Sequence, residues 1–361
     1  MTAIDGSAGG RPQGNVRRLP PPVPAPRPTV GLDIGGTKTL AALLAPDGEV
    51  LAQARLTTQR GPQAVLAVAA RAVEGVVRQA GLDVAALDGV GVGVPGLVGY
   101  DDGTVRHAVN LGIEGAPMPL ARLLGERLGV GVVVDNDLNV AALGAAHLAP
   151  EAASRPLDLA FLALGTGLAA GLVLDGVVRR GTGAAGEIGH VPIDPAGPLC
   201  PCGQRGCLEL YASGTAVERL WPTTTGQPAP VELLAAVTAG DPAARAVWDA
   251  YADAVAAAVR MLVLSVDVRH VVLGGGVAQL GAPLLDAVQA ALTRQAARSP
   301  FLASLTMADR VLLAPGRVPV AAVGAAVLAR STSALAVGPL PAAPRQHHAA
   351  AHTPRDRAGE P

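Results

Sequence analysis

Residues 29–56 read TVGLDIGGTKTLAALLAPDGEVLAQARL, and the expected architecture rests on this stretch. Three apolar runs separated by a Gly-Gly-Thr turn and a Pro-Asp-Gly turn predict three strands joined by tight hairpins. Residues 157–178, LDLAFLALGTGLAAGLVLDGVV, repeat this order around a Gly-Thr-Gly turn. Such a repeat indicates internal duplication. We therefore expect two similar α/β lobes that face each other across a cleft.

Helix and strand patterns follow each repeat, as an α/β fold requires. Valines at helical spacing predict a helix over residues 62–80. Beyond the second repeat, the chain is expected to be mainly helical over 231–266 and to end in a helix over 320–330. The other predicted elements are strands at 89–94, 130–134, 271–273 and 311–313, and helices at 119–128, at 138–148 and from about residue 283.

Size and composition exclude several classes of protein. The chain has 361 residues, enough for two domains, and only 2% of them are aromatic, so Ala, Val and Leu must build the cores. The formal net charge of −1 gives no indication of a nucleic-acid partner. No apolar run reaches the roughly 18 residues of a transmembrane helix, and the N-terminus lacks a signal-peptide pattern. We therefore expect a cytoplasmic protein with no membrane partner.

Both ends of the chain are predicted to be disordered. Residues 1–28 are rich in Gly and then Pro, and residues 331–361 lose periodicity and carry Pro, His and Arg. Neither composition can bury much apolar surface. A docking role for the first segment, and stray metal binding by His347 and His348 in the second, are the alternatives.

All the cysteines of the chain lie in one short segment, with a histidine upstream. Three thiolates and one imidazole suit a closed, tetrahedral, structural zinc site, which leaves no open position for catalytic water. Free buried thiols are the alternative. Carboxylates flank the cluster, so a zinc loop over 187–209 would hold them in place. The proposed ligands are His190, Cys200, Cys202 and Cys207, and the flanking carboxylates are Glu187 and Glu209.

Two glycine-rich turns occupy equivalent positions in the two repeats. Each is either a plain hairpin or a place where backbone N–H groups approach phosphate, and together they could grip a nucleotide polyphosphate from both sides. Asp33 would act on phosphate through Mg²⁺, because carboxylate beside phosphate needs a cation between them. A third glycine run either accommodates a purine ring or makes a tight turn. The candidate ATP-binding residues are Asp33, Gly35, Gly36, Thr37, Lys38, Gly165, Thr166, Gly167, Gly275 and Gly276.

Asn136 and Asp137 stand where a predicted buried strand gives way to a helix. An aspartate at this position is either a helix N-cap or a catalytic base. As a base it could accept a hydroxyl proton while the oxygen attacks phosphorus.

The ordered motifs resemble those of the ROK family of bacterial sugar kinases and sugar-responsive repressors, and most closely its ATP-dependent glucokinases. The resemblance covers about residues 29–330. It rests on DIGGTKT (33–39), VPG (94–96), ND (136–137), GTG (165–167), GEIGH (186–190), CPCGQRGCLE (200–209) and LGGG (273–276).

The resemblance implies a two-lobed, actin-like kinase fold of the sugar kinase, Hsp70 and actin type. Residues 29–137 would form the small lobe, completed by the helix at 319–330, and residues 138–318 the large lobe. Asp137 would be the general base that takes the proton from the sugar 6-hydroxyl, whose oxygen then attacks the γ-phosphate of MgATP. The implied sugar-binding residues are Asn110, Asn136, Asp137, Glu187, His190 and Glu209.

Other functions within this resemblance stay open. The acceptor is glucose or another hexose or N-acetylhexosamine (mannose, fructose, N-acetylglucosamine or N-acetylmannosamine). A sugar-sensing repressor is the main rival class, but only 28 Pro- and Gly-rich residues precede the first strand, too few for a helix-turn-helix module. A non-catalytic sugar-binding protein is the third class. The resemblance also implies a homodimer or a dimer of dimers.

Overall fold

A computed structural model describes residues 26–149 and 157–335, with side chains as far as residue 330. Most of the two predicted disordered segments lies outside these residues. The first strand begins at Thr29, as expected, and just before it Arg27 Nε donates to the Ala86 carbonyl oxygen at 3.0 Å. The last helix continues to Leu335, beyond the expected end at residue 330.

The described residues form twelve strands and ten α-helices. The strands are β1 (Thr29–Ile34), β2 (Lys38–Leu44), β3 (Val50–Thr57), β4 (Gly89–Val94), β5 (Leu97–Gly99), β6 (Thr104–Arg106), β7 (Val132–Asn136), β8 (Leu159–Leu164), β9 (Leu168–Leu174), β10 (Val177–Val178), β11 (His270–Gly274) and β12 (Val311–Leu313). The helices are α1 (Pro62–Gln79), α2 (Leu120–Leu128), α3 (Asp137–Leu148), α4 (Glu209–Ala212), α5 (Gly214–Leu220), α6 (Ala229–Thr238), α7 (Pro242–Val266), α8 (Ala282–Ala296), α9 (Pro300–Ser304) and α10 (Val320–Leu335). Within these ranges, no helix is long and apolar enough to cross a membrane.

The expected duplication is confirmed in the topology of the sheets. One five-stranded sheet has the order β3-β2-β1-β4-β7, and the other has the order β10-β9-β8-β11-β12. In each, the first three strands along the chain pair antiparallel, the fourth strand of the sheet pairs in parallel with the first, and the fifth pairs in parallel with the fourth. The carboxyl ends of the parallel strands in each sheet therefore meet at one edge.

Two predicted elements differ from the structure. The strand expected at 130–134 lies at Val132–Asn136 and so carries its pairing through Asp135 and Asn136. The helical segment expected at 231–266 divides into α6 and α7 at Gly240, whose φ is 87°. The Asp241 carboxylate then caps α7, accepting from the backbone N–H of Ala243 at 2.8 Å.

Each lobe has its own apolar core. One is built between the first sheet and the helices α1 and α2, from Val, Leu, Ile and Ala. The other lies between the second sheet and the helices α7 and α8, and includes Trp248 and Tyr251 on α7. Small aliphatic side chains dominate both, as the low aromatic content predicts.

Helices α3 and α10 lie against each other between the two cores. A methyl group added at Gly324 of α10 would overlap the carbonyl oxygen of Val140 on α3, and one added at Gly144 would overlap that of Val320. The backbones of the two helices are therefore in direct contact. Helix α10 also packs on β1, β2 and β4, while α3 packs on β8 and β9.

Replacing Gly324 with Ala should lower the free energy of unfolding by about 2 kcal/mol or more, because the methyl group has no room and the helices must separate. The matched control is Gly75→Ala inside α1, where no atom other than those of the adjacent residues and the helix's own backbone lies within 4 Å of the added methyl group. That change should be neutral or stabilise by up to about 1 kcal/mol. Urea denaturation of both variants measures the difference, and equal effects would contradict the close helix contact.

Candidate active site

Two carboxylates lie at the edge where the strands of the first sheet end. Asp33 is near the end of β1, and Asp137 follows directly after β7. Strand β4 lies between them, with Gly93 paired to Asp33 on one side and to Asp135 on the other. This parallel pairing brings together two acidic groups that are 104 positions apart in the sequence.

The turn from β7 into α3 decides which residue caps the helix. Asn136 is the N-cap, and its Oδ1 accepts from the backbone N–H of Leu138 at 2.9 Å. Its Nδ2 donates to the Gly96 carbonyl oxygen at 3.4 Å. Asp137 is the first helical residue, and its Oδ1 accepts from the same Leu138 N–H at 2.9 Å. The capping alternative therefore belongs to Asn136, and the second carboxylate oxygen of Asp137 is not used in the cap.

Burial changes the acidity of both carboxyl groups. It raises the pKa of Asp33 to about 6, with a further increase from the negative charge of Asp137 and a decrease from Lys38. Burial also raises the pKa of Asp137, against the hydrogen bond from Leu138, and the charge of Glu187 adds to the increase. Asp137 thus interacts with Asp33 in its own lobe and with Glu187 from the other lobe.

The two glycine-rich turns are each closed by a backbone hydrogen bond, but over different spans of three and two residues. Gly35 N–H donates to the Lys38 carbonyl oxygen at 2.9 Å, and Gly165 N–H donates to that of Gly167 at 3.1 Å. The first turn lies against Asn110, since a methyl group at Gly36 would be 3.0 Å from the Asn110 Cβ. Thr37, Thr166 and Gly167 are exposed, and the Lys38 side chain is half-buried.

A cavity of about 780 Å³ opens between the lobes. Lys38 of the first lobe lines it, together with Gly275 and Gly276 of the second. Phe161 and Gln279 also line it, and they were not among the predicted residues. Its size falls within the range of pockets that bind small molecules.

The second glycine-rich turn lies apart from that lining, beside α4 and α5. Gly165 accepts from the N–H of Gly214 at 2.7 Å. A methyl group added at Gly167 would be 3.1 Å from Glu209 Oε2, so the Glu209 carboxylate borders this turn.

The loop that carries Glu187 and His190 is held on strand β9 by two glycines. Ala170 N–H donates to the Gly186 carbonyl oxygen at 2.8 Å, and a methyl group at Gly186 would overlap the Ala170 carbonyl oxygen. A methyl group at Gly189 would likewise overlap the carbonyl oxygen of Leu168. Both glycines of the Gly-Glu-Ile-Gly-His motif therefore lie against β9, where a larger residue would not fit.

The four predicted metal ligands come together. Their ligand atoms, from His190, Cys200, Cys202 and Cys207, all lie within 4.8 Å of one another. The Cys202 and Cys207 sulfurs are 3.6 Å apart, and the Cys200 sulfur is 3.9 Å from His190 Nδ1. Ligand atoms of a tetrahedral zinc site lie roughly 3.5–3.8 Å apart, given Zn–S bonds of about 2.3 Å. The donor types and their spacing therefore fit zinc.

Glu209 connects this cluster to the second glycine-rich turn. Its Oε1 lies 3.5 Å from His190 Nδ1 and 3.2 Å from the Cys200 sulfur. Its other oxygen borders Gly167, as described above. The carboxylates that flank the cluster in sequence thus differ in position: Glu209 touches the cluster, whereas Glu187 is exposed and interacts with Asp137.

Comparison with known proteins assigns the chain to a family. The model of the ROK family matches residues 29–332. The chain belongs to the ROK family. A solved ROK hexokinase from Thermus thermophilus is 32% identical, with a TM-score of 0.70 over 86% of this chain and 100% of that one. A ROK glucokinase from Streptomyces griseus, solved with glucose and AMPPNP, is 30% identical, with a TM-score of 0.66 over 84% of this chain and 99% of that one.

Relatives within the ROK family carry two kinds of name. The glucokinase of Streptomyces coelicolor is 38% identical over 53% of this chain and 58% of that protein, so the match spans little more than half of its length. The glucokinase of Halalkalibacterium halodurans is 32% identical over 72% of this chain and 83% of that protein. An N-acetylmannosamine kinase of Vibrio cholerae is 32% identical over 69% of this chain and 84% of that protein.

Sequence reasoning missed one charged pair of this ROK protein. Asp135 is fully buried and binds Arg180, which lies 45 positions further along the chain. A carboxylate in a buried strand requires a partner of opposite charge, so the sequence indicated that Asp135 is paired. Nothing local in the sequence identifies Arg180 as the partner.

Stability should depend on pH through Asp33. Its folded pKa of about 6 exceeds the ordinary 3.8, so the folded chain holds this proton more tightly. The stabilisation is complete below pH ~4 and is lost as the pH rises through ~6, a decrease of about 3 kcal/mol. Asp33→Asn should remove this slope. Urea denaturation of wild type and variant between pH 4 and 7 tests it, and parallel curves would contradict the shifted pKa.

Proposed function

We propose that this ROK protein is an ATP-dependent hexose kinase that transfers the γ-phosphate of ATP to the 6-hydroxyl of glucose. The observation that carries the proposal is the meeting of Asp137 with Asp33 and Glu187 at the cleft. Asp33 and Asp137 have raised pKa values in the first lobe, where Asp33 precedes a glycine-rich turn, and Glu187 adds a negative charge from the opposite lobe. The glucose and AMPPNP bound by the Streptomyces griseus glucokinase support both substrates.

Asp137 is the proposed general base. Its ionised carboxylate accepts the proton of the sugar 6-hydroxyl while that oxygen forms a bond to the γ-phosphorus, and the bond to the β,γ-bridging oxygen breaks to release ADP. A raised pKa makes Asp137 a better proton acceptor than an ordinary aspartate. The hydrogen bond from Leu138 holds one carboxylate oxygen and so orients the other.

The nucleotide is proposed to lie between the two glycine-rich turns, with its base toward Gly275 and Gly276. The backbone N–H groups of Gly36 and Gly167 and the hydroxyls of Thr37 and Thr166 would approach phosphate, in turns that the N–H groups of Gly35 and Gly165 close. Lys38 would add a positive charge. Bound Mg²⁺ neutralises phosphate charge, and Asp33 is the proposed carboxylate on that side of the site.

The sugar is proposed to bind through side chains from both lobes. Asn110 and Asn136 would contribute from the first lobe, and Glu187, His190 and Glu209 from the second. A carboxylate can accept hydrogen bonds from two neighbouring hydroxyls, which suits one edge of a hexose. Nδ1 of His190 is on the side of Cys200, so its Nε2 is the nitrogen proposed for the sugar.

Zinc is the metal proposed for the Cys3His cluster, with a structural role. It would hold His190 in one orientation and one tautomer, and would fix the loop that carries Glu187 and Glu209. A set of four protein ligands leaves no position for a reacting water.

N-acetylmannosamine is the second candidate acceptor, because a Vibrio cholerae relative of comparable identity carries that name. A homodimer or a dimer of dimers, which the resemblance implies, and a cytoplasmic location stay predictions.

Asp137→Asn should lower kcat by roughly 10²- to 10⁴-fold while the protein stays folded, because the proton acceptor is removed. A coupled ADP-release assay with ATP and a panel of hexoses and N-acetylhexosamines measures this, and the panel also identifies the acceptor. Asp286→Asn, an exposed carboxyl group on α8, is the control and should keep full activity. Near-normal turnover of Asp137→Asn would exclude it as the base, and wild-type inactivity on every sugar would favour a sensor.

Elemental analysis should find about one zinc per chain, and Cys207→Ser should lose it together with a large part of the thermal stability. The double variant His347→Ala/His348→Ala is the control for stray binding by the C-terminal segment and should keep the ion. A metal-free preparation that is folded and active would overturn the zinc proposal.

A further inference from the structure

Asp135 is the most deeply buried carboxylate at the candidate site, with no exposed surface. Its Oδ1 accepts from Asn139 Nδ2 at 2.8 Å and from the backbone N–H of Asn136 at 2.7 Å. Its Oδ2 accepts from Arg180 Nε at 2.8 Å and also from Arg180 Nη2. Four donors on one carboxylate indicate a charged group that is held in a single orientation.

Asp135 lies where its fixed orientation also positions the proposed base, Asp137. Asp135 is two residues before Asp137, and it fixes the N–H of Asn136, which itself caps α3. It pairs in register with Gly93, the neighbour of Asp33 on the next strand. A shift of the Asp135 carboxylate would therefore move the backbone from which the proposed base projects.

Arg180 reaches Asp135 from the opposite lobe. It follows β10, where the N–H of its neighbour Arg179 donates to Leu172 on β9 at 2.8 Å. Its guanidinium lies over the Tyr100 ring of the first lobe, 5.1 Å from the ring centroid. Its side chain is 28% exposed, so the pair is largely shielded from water. The cation is thus anchored in one lobe and bound in the other.

The same arginine borders the space beside the sugar-binding candidates. A small cavity of about 70 Å³ is lined by Arg180, Tyr100, Asn136 and Glu187, among others. The loop that carries Glu187 begins directly after Arg180. The contacts of Arg180 with Asp135 and Tyr100 therefore also hold the start of that loop in place.

We propose that Arg180 is a positioning residue for phosphoryl transfer, which holds the Asp137 strand end and the Glu187 loop at one spacing through its bond to Asp135. The inference rests on the proposed kinase function and deepens it. Arg180 does not touch the reacting atoms; it acts through Asp135 on the base and through the chain on the sugar-binding loop. The pair crosses between lobes, so it also limits how far the cleft can open on this side.

The charge of Arg180 should affect the pKa of Asp137, which a residue that acts only through packing would not do. The negative charges of Asp33 and Glu187 already interact with Asp137, and Lys38 interacts with Asp33. Arg180 compensates the further negative charge of Asp135. Without it, Asp135 would be an unpaired buried anion near Asp137, and the pKa of Asp137 would rise.

The test compares Arg180→Met, Arg180→Lys, Asp135→Asn/Arg180→Met and the wild type with ATP and the preferred sugar. Arg180→Met should lower kcat by about 10²-fold, because small displacements of a reacting group have effects of this size, with little change in KM for ATP. The acid limb of its pH profile for kcat/KM should move to higher pH. Arg180→Lys should have a kcat between those of the wild type and Arg180→Met, because one ammonium group cannot replace the two hydrogen bonds of the guanidinium.

The double variant removes the unpaired charge and should return the acid limb of the pH profile to its wild-type position. Arg179→Met is the matched control, since that neighbouring arginine is exposed and pairs with Asp175 on the surface at 3.1 Å. It should leave kcat and the pH profile unchanged. If Arg180→Met does not fold, Arg180→Lys and the double variant carry the test.

Two outcomes would overturn the inference. One is a loss of thermal stability in Arg180→Met or Arg180→Lys with kcat and pH profile equal to the wild type, which is the result for packing alone. The other is a double variant whose pH profile stays shifted. Absence of turnover in the wild type would remove the proposed function itself, whereas normal turnover in the Arg180 variants removes only this inference.

Discussion

The contact between α3 and α10 is the constraint on which the rest of the structure depends. Glycines at 144 and 324 let the two helix backbones meet without side chains between them. Helix α3 packs against the second sheet and α10 against the first, so their contact sets the distance between the lobes. The first residue of α3 is Asp137, and its position is therefore tied to both sheets at once.

Close backbone contact also organises the opposite side of the cleft. Gly186 and Gly189 rest on β9, and the chain between and after them presents Glu187 and His190. The loop reverses direction at the cysteines, and Glu209 then lies beside both the ligand cluster and Gly167. A metal at this cluster would act at a distance from phosphoryl transfer, by limiting the movement of groups that are proposed to bind the sugar.

Electrostatics at the cleft combines groups that repel each other. Asp33, Asp137 and Glu187 are like charges, and burial adds to the free energy required to ionise the first two. A site of this kind is less stable than a neutral one at high pH, and it is suited to bind cations or hydrogen-bond donors. Asp135 stays compatible with these neighbours because Arg180 neutralises it.

The sequence by itself determined the duplicated strand order, the turns, most helices and the membership of the Cys3His cluster. These features depend on local patterns: apolar periodicity, glycine at turns, and ligand types at short spacing. The cap at Asn136 was decided by the backbone geometry of the turn from β7 into α3, whereas Gly240 and Asp241 were local signals for the division of the helical segment, and the resemblance already implied that the last helix completes the first lobe. The pairing of Asp135 with Arg180, and the electrostatic interaction of Asp137 with Glu187, exist only in the tertiary structure. Each joins residues from different lobes, and the distance between lobes is set by helix packing far from either residue.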